Sequence, residues 1–223
     1  MHVTVLSPRR SAVAPRRAGE VSHVYAEGEV ASTWLADRGW RAEPVELPLR
    51  VFSDELVTPD GVLRRVWHSG AAMRCDAAIG PNSRARLVLA LQGSLGSVEP
   101  PGLFLAAADR PLAFETTTGA AWAEMVVSNA DHEWIADTNG IHVDEGSGRP
   151  TAAWTTLTSM LITLLNSEEP IDEPVLSLMR QATEHAAAAL LVERRLNRSG
   201  GGGGGGGFLS EGPHHCTGGP AHP

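Results

Sequence analysis

Arg86-Leu87-Val88-Leu89-Ala90-Leu91-Gln92-Gly93-Ser94-Leu95-Gly96 carries the strongest strand signal in the chain. Leu87 to Leu91 are apolar at every position, so both faces of an extended segment would be apolar. Such a run belongs in the middle of a sheet covered on both sides, and Gly93-Ser94-Leu95-Gly96 then turns the chain back as a hairpin. The pattern repeats outward from this run. Val45 to Val51 is a short run interrupted by Pro48, which suits an edge strand because proline has no N–H to give a ladder. Pro59-Asp60-Gly61 is a turn, followed by Val62 to His68 and Gly70 to Asp76. Gly80-Pro81-Asn82 is a second turn. Gly102 to Ala107, Leu112 to Thr116 and Trp122 to Val127 follow at intervals of about ten residues. Short strands at that spacing, with no helices between them, predict an antiparallel sandwich or barrel.

Before this region, residues 1–22 hold Pro8, Pro15 and an arginine-rich pattern without a sustained period. They read as a flexible arm in which Val3, Val5 and Leu6 have the makings of a short strand. Glu27 to Gly39 places Val30, Ala31, Trp34 and Leu35 on one helical face, with Gly39 as the stop. After the strands the period changes. Trp154, Leu157, Met160, Leu161, Leu164 and Leu165 form an amphipathic helix behind Thr151. Asp172-Glu173-Pro174 opens a second helix carrying Val175, Leu178, Met179, Ala182, Ala186, Ala189 and Leu190, and Arg194, Arg195 and Arg198 suit its C-terminal dipole. The short connection between the two favours an antiparallel helix pair. The organisation read from sequence is therefore an arm (1–22), a β-barrel with a short leading helix (23–150), a helix pair (151–198) and a disordered glycine-rich tail (199–223).

Composition excludes several classes. The 223 residues are 42% hydrophobic and the formal net charge is −8; a mean hydropathy of −0.10 fits a globular chain. All 18 basic residues are arginine. Residues 1–22 carry +3 and residues 23–199 carry −10, and an acidic body repels a phosphate backbone, so direct nucleic-acid binding is not expected. No apolar run approaches a membrane span, and the arm has no apolar core of a secretory signal, so a cytoplasmic location is the expectation. Two cysteines, Cys75 and Cys216, make no disulfide framework.

Chemistry-bearing motifs are sparse. A cupin-type metal site needs two histidines two residues apart on a strand; no His-x-His occurs, and the expected strands hold only His68. His142-Val143-Asp144 has the first half of a 2-His-1-carboxylate triad but sits in loop-like sequence, and His132 lies between acids. Ser94 is flanked by glycines but joins two strands, whereas a nucleophile elbow joins a strand to a helix. Cys75 reads as a buried thiol, and Pro213-His214-His215-Cys216 has no core to hold a geometry. Neither an enzyme nor a metal or cofactor is expected. Aromatic and aliphatic positions on successive strands converge inside a closed sheet, so Trp67, Leu89, Leu91, Phe104, Phe114 and Trp122 are the candidate lining of a small-molecule pocket.

Three segments together carry a resemblance: Arg86-Leu-Val-Leu-Ala-Leu-Gln-Gly-Ser94, Pro101-Gly102-Leu-Phe-Leu-Ala, and Asp109-Arg110-Pro111-Leu-Ala-Phe114. Over roughly residues 27–195 the chain resembles the cupin-like regulatory domain of AraC/XylS-type transcription regulators. The resemblance implies a cupin-like antiparallel β-barrel followed by the helix pair, an effector inside the barrel, and dimerisation through the helices. It also departs from the family. Ser97-Val98-Glu99-Pro100 stands where a glycine usually precedes the Pro-Gly turn, and the helix-turn-helix units are replaced by Gly200 to Gly207 and the Pro/His tail. The expectation is thus a sensor and dimerisation module without a DNA-binding half, pairing as a homodimer or with a related regulator through Leu157, Leu161, Leu164, Leu178, Met179 and Leu190. The alternatives are a cupin-like metal-dependent enzyme, or a truncated or frameshifted product without function.

Overall fold

The computed structural model describes residues 3–5, 18–45, 47–58, 61–75, 84–106, 111–128, 143–144 and 149–200. His132, His142 and residues 201–223 of the tail lie outside the described residues, while Ser199 and Gly200 belong to the last helix and not to the tail. Eleven strands and three helices are described: β1 (Val3–Val5), β2 (Val21–Glu27), α1 (Glu29–Ala36), β3 (Trp40–Pro44), β4 (Arg50–Thr58), β5 (Gly61–His68), β6 (Ala71–Cys75), β7 (Arg84–Gln92), β8 (Leu103–Ala106), β9 (Leu112–Thr116), β10 (Ala120–Ser128), β11 (Val143–Asp144), α2 (Ala152–Leu165) and α3 (Glu173–Gly200).

The strands form two sheets. Eight run in the order β1-β2-β4-β5-β10-β7-β8-β11, and three in the order β3-β6-β9. No ladder among the described residues joins the two sheets, so the mainly β, antiparallel arrangement is seen and closure into a barrel is not. Two of the places where the chain passes between them are adjacent corners. Ser69-Gly70 leads from β5 to β6, and residues 117–119 lead from β9 to β10. A Cβ on Gly70 would stand 2.8 Å from the Thr117 carbonyl oxygen, so glycine lets the two corners lie together. Thr116 Oγ1 fastens them, accepting from the Ala71 N–H at 3.1 Å and donating to the Ala71 carbonyl at 3.2 Å.

Leu87–Leu91 lies in β7, between β10 and β8, as its two apolar faces require. Val88 and Ala90 enter a core between the sheets; Leu87 and Leu89 enter a second core beneath the helices. Gly93 and Gly96, at φ 70° and 65°, turn the chain toward β8. The Val45–Val51 reading is corrected. Pro48 lies in the connector after β3, and β4 starts only at Arg50, an internal strand paired on both sides. β2 and β3 are strands that the sequence pattern did not announce, and Val3–Val5 pairs parallel with β2.

The helices form a third layer. Thr151 caps α2, its hydroxyl accepting the Trp154 N–H at 3.2 Å. Trp154, Leu157, Leu161, Leu164 and Leu165 from α2 pack with Leu176, Ala187, Leu190 and Leu191 from α3 over Leu56, Leu63, Leu87, Leu89 and Met125 of the large sheet. No helix among the described residues is long and apolar enough to cross a membrane.

Candidate functional site

Period-two alternation gives the large sheet two different faces. Toward the small sheet, β4 directs Val51, Ser53 and Glu55, β5 directs Arg64, Val66 and His68, and β10 directs Ala120, Trp122 and Glu124; the register sets Glu55, Arg64 and Glu124 side by side. These three charged residues are buried. Arg64 bridges the carboxylates: its Nε donates to Glu55 Oε2 at 2.7 Å and its NH1 to Glu124 Oε2 at 2.9 Å. Arg38, from the turn after α1, donates to Glu55 Oε2 at 2.8 Å and stacks over the Trp34 ring at 3.9 Å. Arg86 donates to Glu124 Oε1, and Trp40 Nε1 donates to Glu124 Oε2 at 3.3 Å. Burial alone would raise the Glu124 carboxyl. The guanidiniums of Arg64 and Arg86, with hydrogen bonds from Arg86 and Trp40, more than offset it and hold the group below the ordinary carboxylate range. A carboxylate so held is a poor general base, and the network braces the sheets.

Beyond the network, toward the corner at Ser69, the interior is aromatic. Trp122 lies 5.4 Å from Trp40, 5.8 Å from Phe114 and 4.9 Å from His68 between ring centroids, and Phe104 lies 5.6 Å from Phe114. His68 is fully buried and its Nδ1–H donates to the Ser69 carbonyl at 2.6 Å. Burial pushes its imidazole down to about 4, against the smaller upward pull of that hydrogen bond. His68 Nε2, Trp122 Nε1, Ser53 Oγ and Trp34 Nε1 have no hydrogen-bond partner among the described residues. Buried polar atoms in that state are uncommon and fit a site that receives a water or a small polar group.

The six candidate pocket residues do not converge. Phe104, Phe114 and Trp122 share the core between the sheets. Leu89 and Leu91 face the helices instead, because odd positions of β7 alternate away from Val88 and Ala90. Trp67 likewise faces outward from β5, packed at 5.5 Å on the half-exposed Phe52. Of the six candidate dimerisation residues, Leu157, Leu161, Leu164 and Leu190 are buried against the chain's own sheet, Met179 is half-buried beside them, and Leu178 is 67% exposed. The apolar side chains that α3 leaves in solvent are Val175, Leu178, Val192 and Leu196. Among the described residues no group of three His, Cys, Asp or Glu side chains is placed to hold a metal ion. Cys75 is buried and is not part of a disulfide.

Sequence reasoning passed over Glu55, Arg64 and Glu124. The signal was present: each sits two or four residues along a strand from a core residue (Val51, Val66, Trp122) and so shares its face.

A search of solved structures matches the crystal structure of the AraC-like transcriptional activator CuxR, with a TM-score of 0.55 over 77% of this chain and 70% of that one. The chain has an AraC-like fold. At 11% sequence identity the likeness is one of fold alone. A scan of protein-family models and a search of curated protein sequences give no match.

Proposed function

We propose that the chain is a regulator-like sensor and dimerisation module, a binding protein rather than an enzyme. The AraC-like fold carries this reading. The effector's place in it is between the sheets, among Phe104, Phe114 and Trp122, where rings supply apolar contact and the unpartnered His68 Nε2 and Trp122 Nε1 supply polar recognition. The second surface is the outer face of α3, for a second copy or a related regulator. In this reading nucleic-acid contact belongs to such a partner and not to this chain.

A fragment panel of small aromatic acids, amines and neutral rings, scored by thermal shift and calorimetry, tests the effector half. At least one fragment is expected to stabilise the protein, and Trp122→Phe, which keeps a ring but removes the N–H donor, is expected to weaken it about tenfold, the worth of one buried hydrogen bond. Fragments that bind Trp122→Phe as tightly as the parent, or a panel with no binder at all, would remove the interior from the reading.

A further inference from the structure

Resting on the effector half of that reading, we propose that the interior takes a small neutral hydroxyaromatic compound, its ring lodged among Phe104, Phe114 and Trp122 and its hydroxyl donating to His68 Nε2 while accepting from the Trp122 N–H. Strand register gathers the unpartnered atoms. On the face of the large sheet turned toward the small one, Val66 has Ser53 beside it in β4 and Trp122 beside it in β10, and His68 follows two residues along β5. Ser53, His68 and Trp122 therefore surround one aliphatic side chain, and the His68 and Trp122 rings meet edge to face at 4.9 Å. All three are more than nine-tenths buried, and each keeps a polar atom without a partner among the described residues. Trp34, from α1, brings a fourth such atom to the same core. A core built for packing alone has no use for them, since an unmet buried donor or acceptor is destabilising until a partner arrives.

The polarity of these atoms selects the polar group of the ligand. His68 Nδ1 faces the Ser69 carbonyl at 2.6 Å, and a carbonyl only accepts, so the ring proton is on Nδ1 and Nε2 presents a lone pair. Burial keeps the imidazole neutral at ordinary pH, its pKa pushed down to about 4. The indole nitrogens of Trp122 and Trp34 only donate, and the Ser53 hydroxyl does either. The complement is a group that both donates and accepts, which is a hydroxyl. A carboxylate has no proton for Nε2 and sets its charge against the lone pair. An ammonium has protons for Nε2 but no acceptor for the indoles. It also enters beside Arg38, Arg64 and Arg86, three guanidiniums against the two carboxylates of Glu55 and Glu124. A neutral hydroxyl meets both kinds of atom without burying a charge.

The walls select the rest of the ligand. Phe114 stands edge-on to Trp122 at 5.8 Å, Phe104 lies 5.6 Å from Phe114, and Trp40 lies 5.4 Å from Trp122. Such a set offers faces and edges to one more ring, whereas a polyol would leave most of its hydroxyls against carbon. One ring with one hydroxyl is the match.

Calorimetry of the full chain near neutral pH with phenol, toluene, benzoate and benzylamine reads the preference. Phenol is expected to bind at least about tenfold more tightly than toluene, the worth of one buried hydrogen bond, with benzoate and benzylamine weaker than phenol. In the parent, the His68 Nε2 nitrogen resonance is expected to shift with phenol and to stay in place with toluene; this readout also decides the matter where a His68 variant does not fold. His68→Leu is expected to lose the phenol preference while keeping its toluene affinity, and His68→Gln, whose amide oxygen accepts, to recover part of it. Toluene binding as tightly as phenol, benzoate or benzylamine binding more tightly than phenol, or an Nε2 resonance indifferent to phenol overturns the hydroxyl assignment and leaves an interior effector site standing. Binding by none of the four, with water alone meeting the unpartnered atoms, overturns the interior site itself.

Discussion

Glu124 and His68 lie one strand apart in the same interior and respond to pH for opposite reasons. Glu124 is fully buried and its charge is matched by Arg64 and Arg86, so Glu124→Gln removes the negative charge the two guanidiniums share and puts an NH2 donor in place of one acceptor oxygen. Breaking one partner of a buried ion pair costs about 3–5 kcal/mol, and the urea midpoint of Glu124→Gln is expected to fall accordingly. A loss under about 1 kcal/mol would mean that the network is solvated in solution. His68 is buried neutral. Its folded value, about 4, lies below the ordinary 6.5, so its contribution is complete above about pH 6.5 and is lost as pH falls toward 4. The full loss is on the order of 3 kcal/mol. Glu124, also lowered, keeps its contribution until pH falls below the ordinary carboxylate range, so the histidine gives way first. Stability measured by urea titration between about pH 7 and 5 is expected to slope in the parent and to flatten in His68→Gln. The same slope in both proteins would assign the titration to another group.

Single elements show what the sequence could reveal. Leu87–Leu91 was legible as a central strand because two apolar faces have one stable solution, and the α2 face was legible because its period is helical. β2 was not: Val21-Ser22-His23-Val24-Tyr25-Ala26-Glu27 buries only Val24 and Ala26, too little alternation to mark a strand. For the buried charges the face was legible from strand alternation and the pairing was not. Glu55, Arg64 and Glu124 neutralise one another only after strands far apart in sequence have paired, and a charge taken singly reads as solvated surface. Nor could the pattern say what covers an apolar helix face. Leu157 and Leu161 looked equally ready for a partner chain or for the sheet, and the sheet takes them. The corner between the two sheets offers its own test. Gly70→Ala pushes a methyl against the Thr117 carbonyl and is expected to cost about 1–3 kcal/mol in chemical denaturation, with an unchanged far-ultraviolet spectrum. An unchanged midpoint would mean that the corner is loose in solution.

In the whole molecule three layers divide the work: the small sheet and the large sheet enclose the aromatic and ionic interior, and the helix layer closes the large sheet's other face. α3 belongs to two worlds, since Leu176, Ala187 and Leu190 hold it to the protein while Val175, Leu178, Val192 and Leu196 remain outside. Substitutions on the two sides should therefore separate folding from assembly. Leu161→Glu places a charge in the core beneath the helices and is expected to cost about 3 kcal/mol or more, lowering the melting temperature or abolishing folding. Leu178→Glu alters only the outer face. Sedimentation equilibrium of Leu178→Glu beside the parent at about pH 8, with circular dichroism to verify the fold, is the decisive measurement. The expected result is a fully folded monomer where the parent is a dimer; a Leu178→Glu protein that remains dimeric, or a parent that never dimerises, would refute the assignment of α3 as the assembly surface.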